Sequence, residues 1–346
     1  SDKAIAPHAY FQLQRDDKAP AGETAMVSTF TGPAVYTEAE KYQKVDFGHI
    51  ADNKAKFAKT ADNGWLAMVQ HYFVAAFVPK DKTPREFYMR KLEGGNVFQT
   101  GVIVPVAEIA PGAKGESGVS LYAGPQEQTA LKQVAPGLDL VVDYGWLTVV
   151  AAPIFWALEA IHKLVGNWGW AIVVLTIGIK AVFYPLSAAS YKSMAKMKLL
   201  TPRLMQLKER FSDDKQRLNQ EMMKLYQKYG INPASGCVPM LIQIPIFFAF
   251  YRVLQYSAEL RGQPFCLWMT DLSLPDTVGH LFGVPINILP LIMAVTMIIQ
   301  MRMTPQAGER SQRIIMNLMP VMFFLFCYNF ASALALYWTT QNLISI

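Results

Sequence analysis

The sequence predicts a two-part fold. An all-β sandwich over residues 1–140 precedes an α-helical membrane region over 167–346, which has five spans and a cytoplasmic helical hairpin at 191–232; an interfacial amphipathic helix at 141–166 joins the two. Three observations lead there. The 346-residue chain is 52% hydrophobic and 17% charged, too apolar for a soluble protein and too charged for a wholly buried one. Its charge is sorted by position, with 15 Lys+Arg against 17 Asp+Glu in residues 1–146 but 10 against 4 in 191–232. Apolar runs of span length lie only from Trp168 onward, whereas alternating β-branched and aromatic runs lie before it.

The β runs are TAMVSTF before Gly32-Pro33, AMVQHYFVAAFVP after Asn63-Gly64, NVFQTGVIVPV after Gly94-Gly95, and GVSLYAGP, each bounded by turn residues. A short helix is expected near Glu127 to Ala135, stopped by Pro136-Gly137. From Tyr144 to Val165 the apolar pattern is interrupted at Pro153 and then meets Glu159, His162 and Lys163, which predicts a helix lying in the interface rather than a span. The first span runs from Trp168 to about Ser190, with Trp168 and Trp170 as interface anchors.

In the basic block, Thr201-Pro202 reads as a helix start, Ser212-Asp213-Asp214 as a second start, and Gly230 as a stop. Met194, Met197, Leu204, Leu207 and Phe211 form one apolar stripe; Leu218, Met222, Leu225, Tyr226 and Tyr229 form another. Later spans are expected over about Gly236 to Tyr256 and about Val284 to Met303. The 33-residue run from Ile314 to Ile346 would reach about 50 Å at ~1.5 Å per residue, so it is split at Asn329 to Ser332 into two short spans. The basic loops, 191–232 and that around Arg302, Arg310 and Arg313, are placed in the cytoplasm, and the β domain on the opposite side.

Within the first span Lys180 is the single charge between Trp168 and Ala189. A charge near the centre of a span costs roughly 2.5–3.5 kcal/mol on insertion scales. Either its stem snorkels to a headgroup, or a water-containing cavity reaches it. Thr176 shares its helix face, and Gln243, Thr296, Gln300, Asn317, Thr339, Thr340 and Gln341 fall mostly in the cytoplasmic half of their spans. Such residues glue helices together, or collectively line a groove wet from the cytoplasm. The apolar remainder is rich in thioethers and rings, among them Met240, Phe247, Phe248, Met316 and Phe323, which suit either packing or varied apolar partners.

Other chemistry finds no foothold. Cys237, Cys266 and Cys327 lack metal-ligand or disulfide spacing, and His8, His49, His71, His162 and His280 are scattered. No nucleophile-elbow, zinc-protease, phosphate-loop or dinucleotide motif occurs, so neither an enzyme nor a cofactor is expected. A secondary transporter using Lys180 as a substrate or proton site fits the charge, but without an internal repeat or paired broken helices. The start at Ser1, without Met, signal peptide or anchor, reads as a piece of a longer or processed chain.

Specific runs carry a resemblance: DNGWLAMVQHYF, LDLVVDYGWL, GNWGWAIVVLT, YPLSAASYKSMAKMKLLTP, NQEMMKLYQKYGINPASGCVPMLIQIPIFFAFYRVL and LRGQPFCLWMTDLS, in this order. Together they resemble the bacterial YidC family of membrane protein insertases, of the Gram-negative type. The resemblance implies an inner-membrane protein whose β domain is part of a periplasmic sandwich similar to sugar-binding folds, with an amino-terminal span and a basic carboxyl tail lying outside this sequence. Lys180 takes the place of the groove's basic residue, commonly Arg, losing its bidentate fork. Thr176 matches a sensitive polar position, Tyr337 and Trp338 an aromatic pair, and Phe330-Ala331-Ser332 replaces a common Pro-Ser-Gly turn. Nascent membrane proteins, the ribosome and the Sec translocon are implied as partners of a functional monomer. For the hairpin, Lys192, Lys196, Lys198, Arg203, Lys208 and Arg210 form either a solvated positive-inside face or contacts to anionic lipids and ribosomal RNA.

Overall fold

A computed structural model describes residues 2–20, 29–80, 82–211, 214–230, 238–303 and 310–346. Contacts divide the chain into two units, Ser1–Asp143 with Tyr256–Glu259, and Tyr144–Gln255 with Leu260–Ile346.

The first unit is a β-sandwich. One antiparallel sheet has the order β1 (His8–Asp16), β8 (Val97–Pro105), β7 (Arg85–Lys91), β4 (Thr60–Ala61); the other has β3 (Lys41–Lys44), β2 (Gly32–Thr37), β5 (Trp65–Gln70), β6 (Phe73–Pro79), β9 (Val119–Pro125). Between them Val35, Leu66, Phe77, Phe87 and Val102 form the core, the inward half of each alternating run. The strand expected over 24–30 falls largely on residues outside those described. The Asn63-Gly64 turn has a steric cause: Gly64 is at φ +88°, and a Cβ there would lie 1.8 Å from the carbonyl oxygen of Tyr36. That close approach seats Trp65, which is buried, stacked on Tyr36 at 5.7 Å, and donates from Nε1 to the Pro136 carbonyl at 3.1 Å. Short helix α1 (Phe47–Ala51) closes one edge, and α2 (Gln128–Val134) forms where the sequence places it.

The second unit is helical: α3 (Thr148–Val165), α4 (Trp168–Arg210), α5 (Lys215–Lys228), α6 (Val238–Tyr256), α7 (Ile288–Met303), α8 (Arg310–Cys327) and α9 (Ser332–Ser345). Gly166, left-handed at φ 70°, ends α3, and Asn167 caps α4 by accepting from the Trp170 N–H at 3.1 Å. Asp214 likewise caps α5 by accepting from the Arg217 N–H at 2.9 Å, while Ser212 and Asp213 lie outside the described residues.

The structure corrects two expectations. No helix starts at Thr201-Pro202: α4 runs through it for 43 residues, with Pro185 and Pro202 both inside. A proline removes one backbone donor without ending a helix whose neighbours remain bonded, and the Thr201 hydroxyl turns back to donate to the Met197 carbonyl at 3.3 Å. The span expected from Val284 begins at Ile288, because Val284–Asn287 is strand β11, paired with β10 (Thr277–Leu281). Its turn is Phe282-Gly283, at φ 50° and 81°, a left-handed pair that Phe at the first position conceals from a sequence reading. By length and composition alone, two stretches among the described residues are long and apolar enough to cross a membrane, Gly145–Val165 and Trp168–Arg210, a test that a helix lying in the interface passes as well; Leu241–Tyr256, Ile288–Met303 and Asn317–Cys327 are shorter. At ~1.5 Å per residue the shorter ones fall below a ~30 Å hydrocarbon core, so the expected count of five is not reached by length.

Candidate functional site

Helix α9 packs against α4 and α7, and its buried face carries the polar residues of interest. Its sequence, SALALYWTTQNLIS, puts small residues first, which permits close helix approach, and Thr, Gln and Asn last. At that last end the structure brings together groups from three helices. Lys180 of α4, half-buried, donates from Nζ to Ser345 Oγ at 2.9 Å, and Ser345 Oγ donates in turn to the Gln341 carbonyl at 2.7 Å. Asn342, buried, directs Nδ2 at the Met293 carbonyl and at Thr296 Oγ1, each at 3.4 Å.

The predicted residues separate into two kinds. Thr176 and Thr296 are buried and internally satisfied: the first donates to the Ile172 carbonyl at 2.7 Å, the second to the Ile292 and Met293 carbonyls at 2.9 Å. Lys180, Gln243, Gln300 and Trp338 are half-buried, and Thr340 is buried. Asn317 is exposed on α8 and is not drawn into this group by any hydrogen bond among the described residues. Ser345 and Asn342 were not singled out in the sequence; both extend the polar run after Thr339 by helical steps, which was the available signal.

Tyr337 and Trp338 belong to an aromatic cluster rather than to the polar seam. Tyr337 is buried and stacked on Phe250 at 4.4 Å, while Trp338 meets Phe247 edge-on at 4.7 Å and Phe323 at 4.8 Å. These contacts join α6, α8 and α9. The side chains of Met240, Met316, Arg310 and Arg313, and all of Cys237, lie outside the described residues.

An ammonium has three N–H donors. One goes to Ser345, and among the described residues no carboxylate lies within ion-pair distance of Lys180. The remaining capacity of this cation can receive water or an incoming acid. No cluster of His, Cys, Asp or Glu among the described residues could hold a metal ion.

Lys192, Lys196, Lys198, Arg203, Lys208 and Arg210 are all exposed along the far part of α4. The Arg203 guanidinium lies 5.1 Å from the Tyr229 ring, and Arg210 and Arg217 flank Phe211 at 5.8 and 5.6 Å, so aromatic contacts brace the α4–α5 hairpin. Met194, Met197, Leu204 and Leu207 are half-buried, as their stripe predicts. On α5 a hydrogen bond from Lys224, aided by the charges of that lysine, Arg217 and Arg210, holds the Glu221 carboxyl below its usual range.

Comparison with known proteins adds the following. The family model described as 60Kd inner membrane protein matches residues 160–346, and that described as YidC periplasmic domain matches 1–157. A protein named membrane protein insertase YidC from Dechloromonas aromatica is 72% identical over all of this chain, and one of the same name from Aromatoleum aromaticum is 55% identical. The chain spans 62% of the length of each of these two. A solved structure described as an active YidC insertase with the first transmembrane domain resolved aligns at TM-score 0.48 and 20% identity, over 96% of this chain and 78% of that one.

Proposed function

The chain belongs to the 60Kd inner membrane protein family, that of YidC, and from that premise we propose that it is the core of a membrane protein insertase. The observation that carries the proposal is Lys180: a half-buried cation on an otherwise uncharged stretch of α4, held by a hydroxyl instead of a carboxylate, beside the polar end of α9.

In this reading α4, α6, α7, α8 and α9 cross the inner membrane, the shorter ones where the bilayer adapts to them. The β-sandwich faces the periplasm and the basic hairpin the cytoplasm. A nascent chain meets the hairpin first, whose exposed Lys and Arg side chains also suit anionic lipids and the ribosome. Its polar, acidic leader then enters a groove open to the cytoplasm and pairs with Lys180, while its apolar segment passes laterally into lipid. Moving a polar leader across a full ~30 Å of hydrocarbon is prohibitive; a groove that penetrates half-way shortens the path. Outward release of an acidic group is favoured by the membrane potential, at about 2.3 kcal/mol per charge per 100 mV. No covalent bond is made or broken and no cofactor takes part. The unit works as a monomer, alone or beside the Sec translocon.

The test is site-specific photocrosslinking from Lys180 and Gln243, two half-buried positions, to a ribosome-stalled nascent chain. Crosslinks from both are expected; capture at neither position would reject the groove.

A further inference from the structure

Residues 260–287 tie the ends of three helices of the second unit into one plate. Asn167, the cap of α4, donates from Nδ2 to the carbonyls of Pro264 and Phe265 at 3.1 and 3.2 Å, and the Phe265 ring meets Trp170 edge-on at 5.2 Å. Asp276 Oδ2 accepts from the Leu289 N–H in the first turn of α7 at 2.6 Å. The carbonyls of Leu274 and Leu272 accept from the N–H groups of Ser332 and Ala333, at the start of α9, at 2.8 and 3.0 Å. The plate thus satisfies backbone donors or caps at the starts of α4, α7 and α9, all on one side of the helices.

From this plate two apolar side chains project. Leu267 is 84% exposed and Phe282 is 97% exposed. Both sit at positive φ, 56° and 50°, a region that bulky L residues avoid and that Gly or Asn fills in ordinary turns. Their surroundings are uncharged: residues 264–270 and 277–287 contain no Asp, Glu, Lys or Arg. Of the two neighbouring acids, Asp276 is buried at the start of α7, and Asp271 accepts from the backbone N–H and hydroxyl of Ser273. Exposure, strain and neutrality coincide at both tips; Leu267 follows Phe265, whose ring meets Trp170 in the first turn of α4, and Phe282 turns a hairpin whose Pro285 and Asn287 bond Tyr328 just past α8.

We propose that Leu267 and Phe282 seat in the headgroup–acyl boundary of the extracytoplasmic leaflet, so that the plate anchors the starts of α4, α7 and α9 to lipid. This rests on the reading that these helices cross the membrane. Lipid is the occupant the geometry favours, because the loop and hairpin that carry these tips are fastened to helix ends, where amphipathic and apolar groups partition into the interface.

The test introduces tryptophan singly, as Leu267→Trp, Phe282→Trp and Val182→Trp, the last an exposed position within α4. Each full chain is reconstituted in phosphatidylcholine vesicles with or without bromine on the acyl chains, and the emission added over the parent protein is recorded. Brominated lipid should quench the tryptophans at 267 and 282 at least about twofold, with aqueous iodide having little effect, as for a side chain at the interface. Quenching by iodide alone would place the tips in water. Quenching by neither would place them under protein, a second copy or another chain. Either result, with Val182→Trp quenched by bromolipid, overturns the anchor while leaving the spans intact; an unquenched Val182→Trp overturns both.

Discussion

At the scale of single residues, the candidate site depends on one cation and its hydroxyl partner. Reversing the charge with Lys180→Glu should lower insertion of single-span substrates with acidic leaders at least tenfold, since contact with a unit charge is worth about 4 kcal/mol at an effective dielectric near 20. Lys180→Arg should retain most activity, and substrates with neutral leaders should respond little to either change; insertion into reconstituted vesicles measures all three. Lys180 stood out in the sequence because a lone charge in an apolar run must either snorkel to a headgroup or find water. Ser345 was not, because nothing in a serine near the end of a polar run separates a lysine's partner from a solvated side chain. In the β unit a different residue stands out. Tyr42 has a buried hydroxyl without a hydrogen-bond partner among the described residues, and burial, with the nearby Asp143 carboxylate, pushes its pKa above the ordinary value of 10.0. A raised pKa of this kind leaves its contribution to stability intact below that ordinary value and removes it as pH climbs beyond. Tyr42→Phe should therefore raise stability by about 1 kcal/mol by deleting an unsatisfied polar group, and should flatten the loss of stability at alkaline pH, as read by denaturant unfolding of the β unit.

Among the elements, the sandwich and the helix boundaries divide by how local their causes are. Gly64 and Asp214 announce a turn and a cap through backbone rules that act within a few residues, and the structure places them there. Thr201-Pro202 carries the same local signal and is overridden by continuity of α4. The β10–β11 hairpin escaped notice because Phe282 occupies a position where the backbone asks for Asn or Gly. One long-range requirement could not be read locally at all: a Cβ on Gly169 would sit 2.1 Å from the Phe265 ring. Gly169→Ala should displace the 264–269 loop from the start of α4 and cost about 1–3 kcal/mol by overpacking, seen as a lower thermal unfolding midpoint. Phe265→Ala in the same chain removes the two closest atoms but keeps Cβ at 2.7 Å, so it should recover only part of that loss; a double variant no better than Gly169→Ala would mean that the ring does not oppose the added methyl.

For the whole molecule, the sequence placed the β-rich and helical parts from charge segregation and hydrophobic period alone, because those quantities average over many residues. Span lengths were less legible, since a strand such as Val284–Asn287 is as apolar as the helix it precedes. The account's central claim is topological: Lys180 is reached by water from the cytoplasm and sealed from the periplasm. With Cys237, Cys266 and Cys327 replaced by serine, a Lys180→Cys variant treated with a membrane-impermeant thiol reagent tests it most directly. Labelling from the cytoplasmic face of inside-out vesicles, with none from the periplasmic face of right-side-out vesicles, is the predicted result. No labelling from the cytoplasm, or equal labelling from both faces, would contradict it.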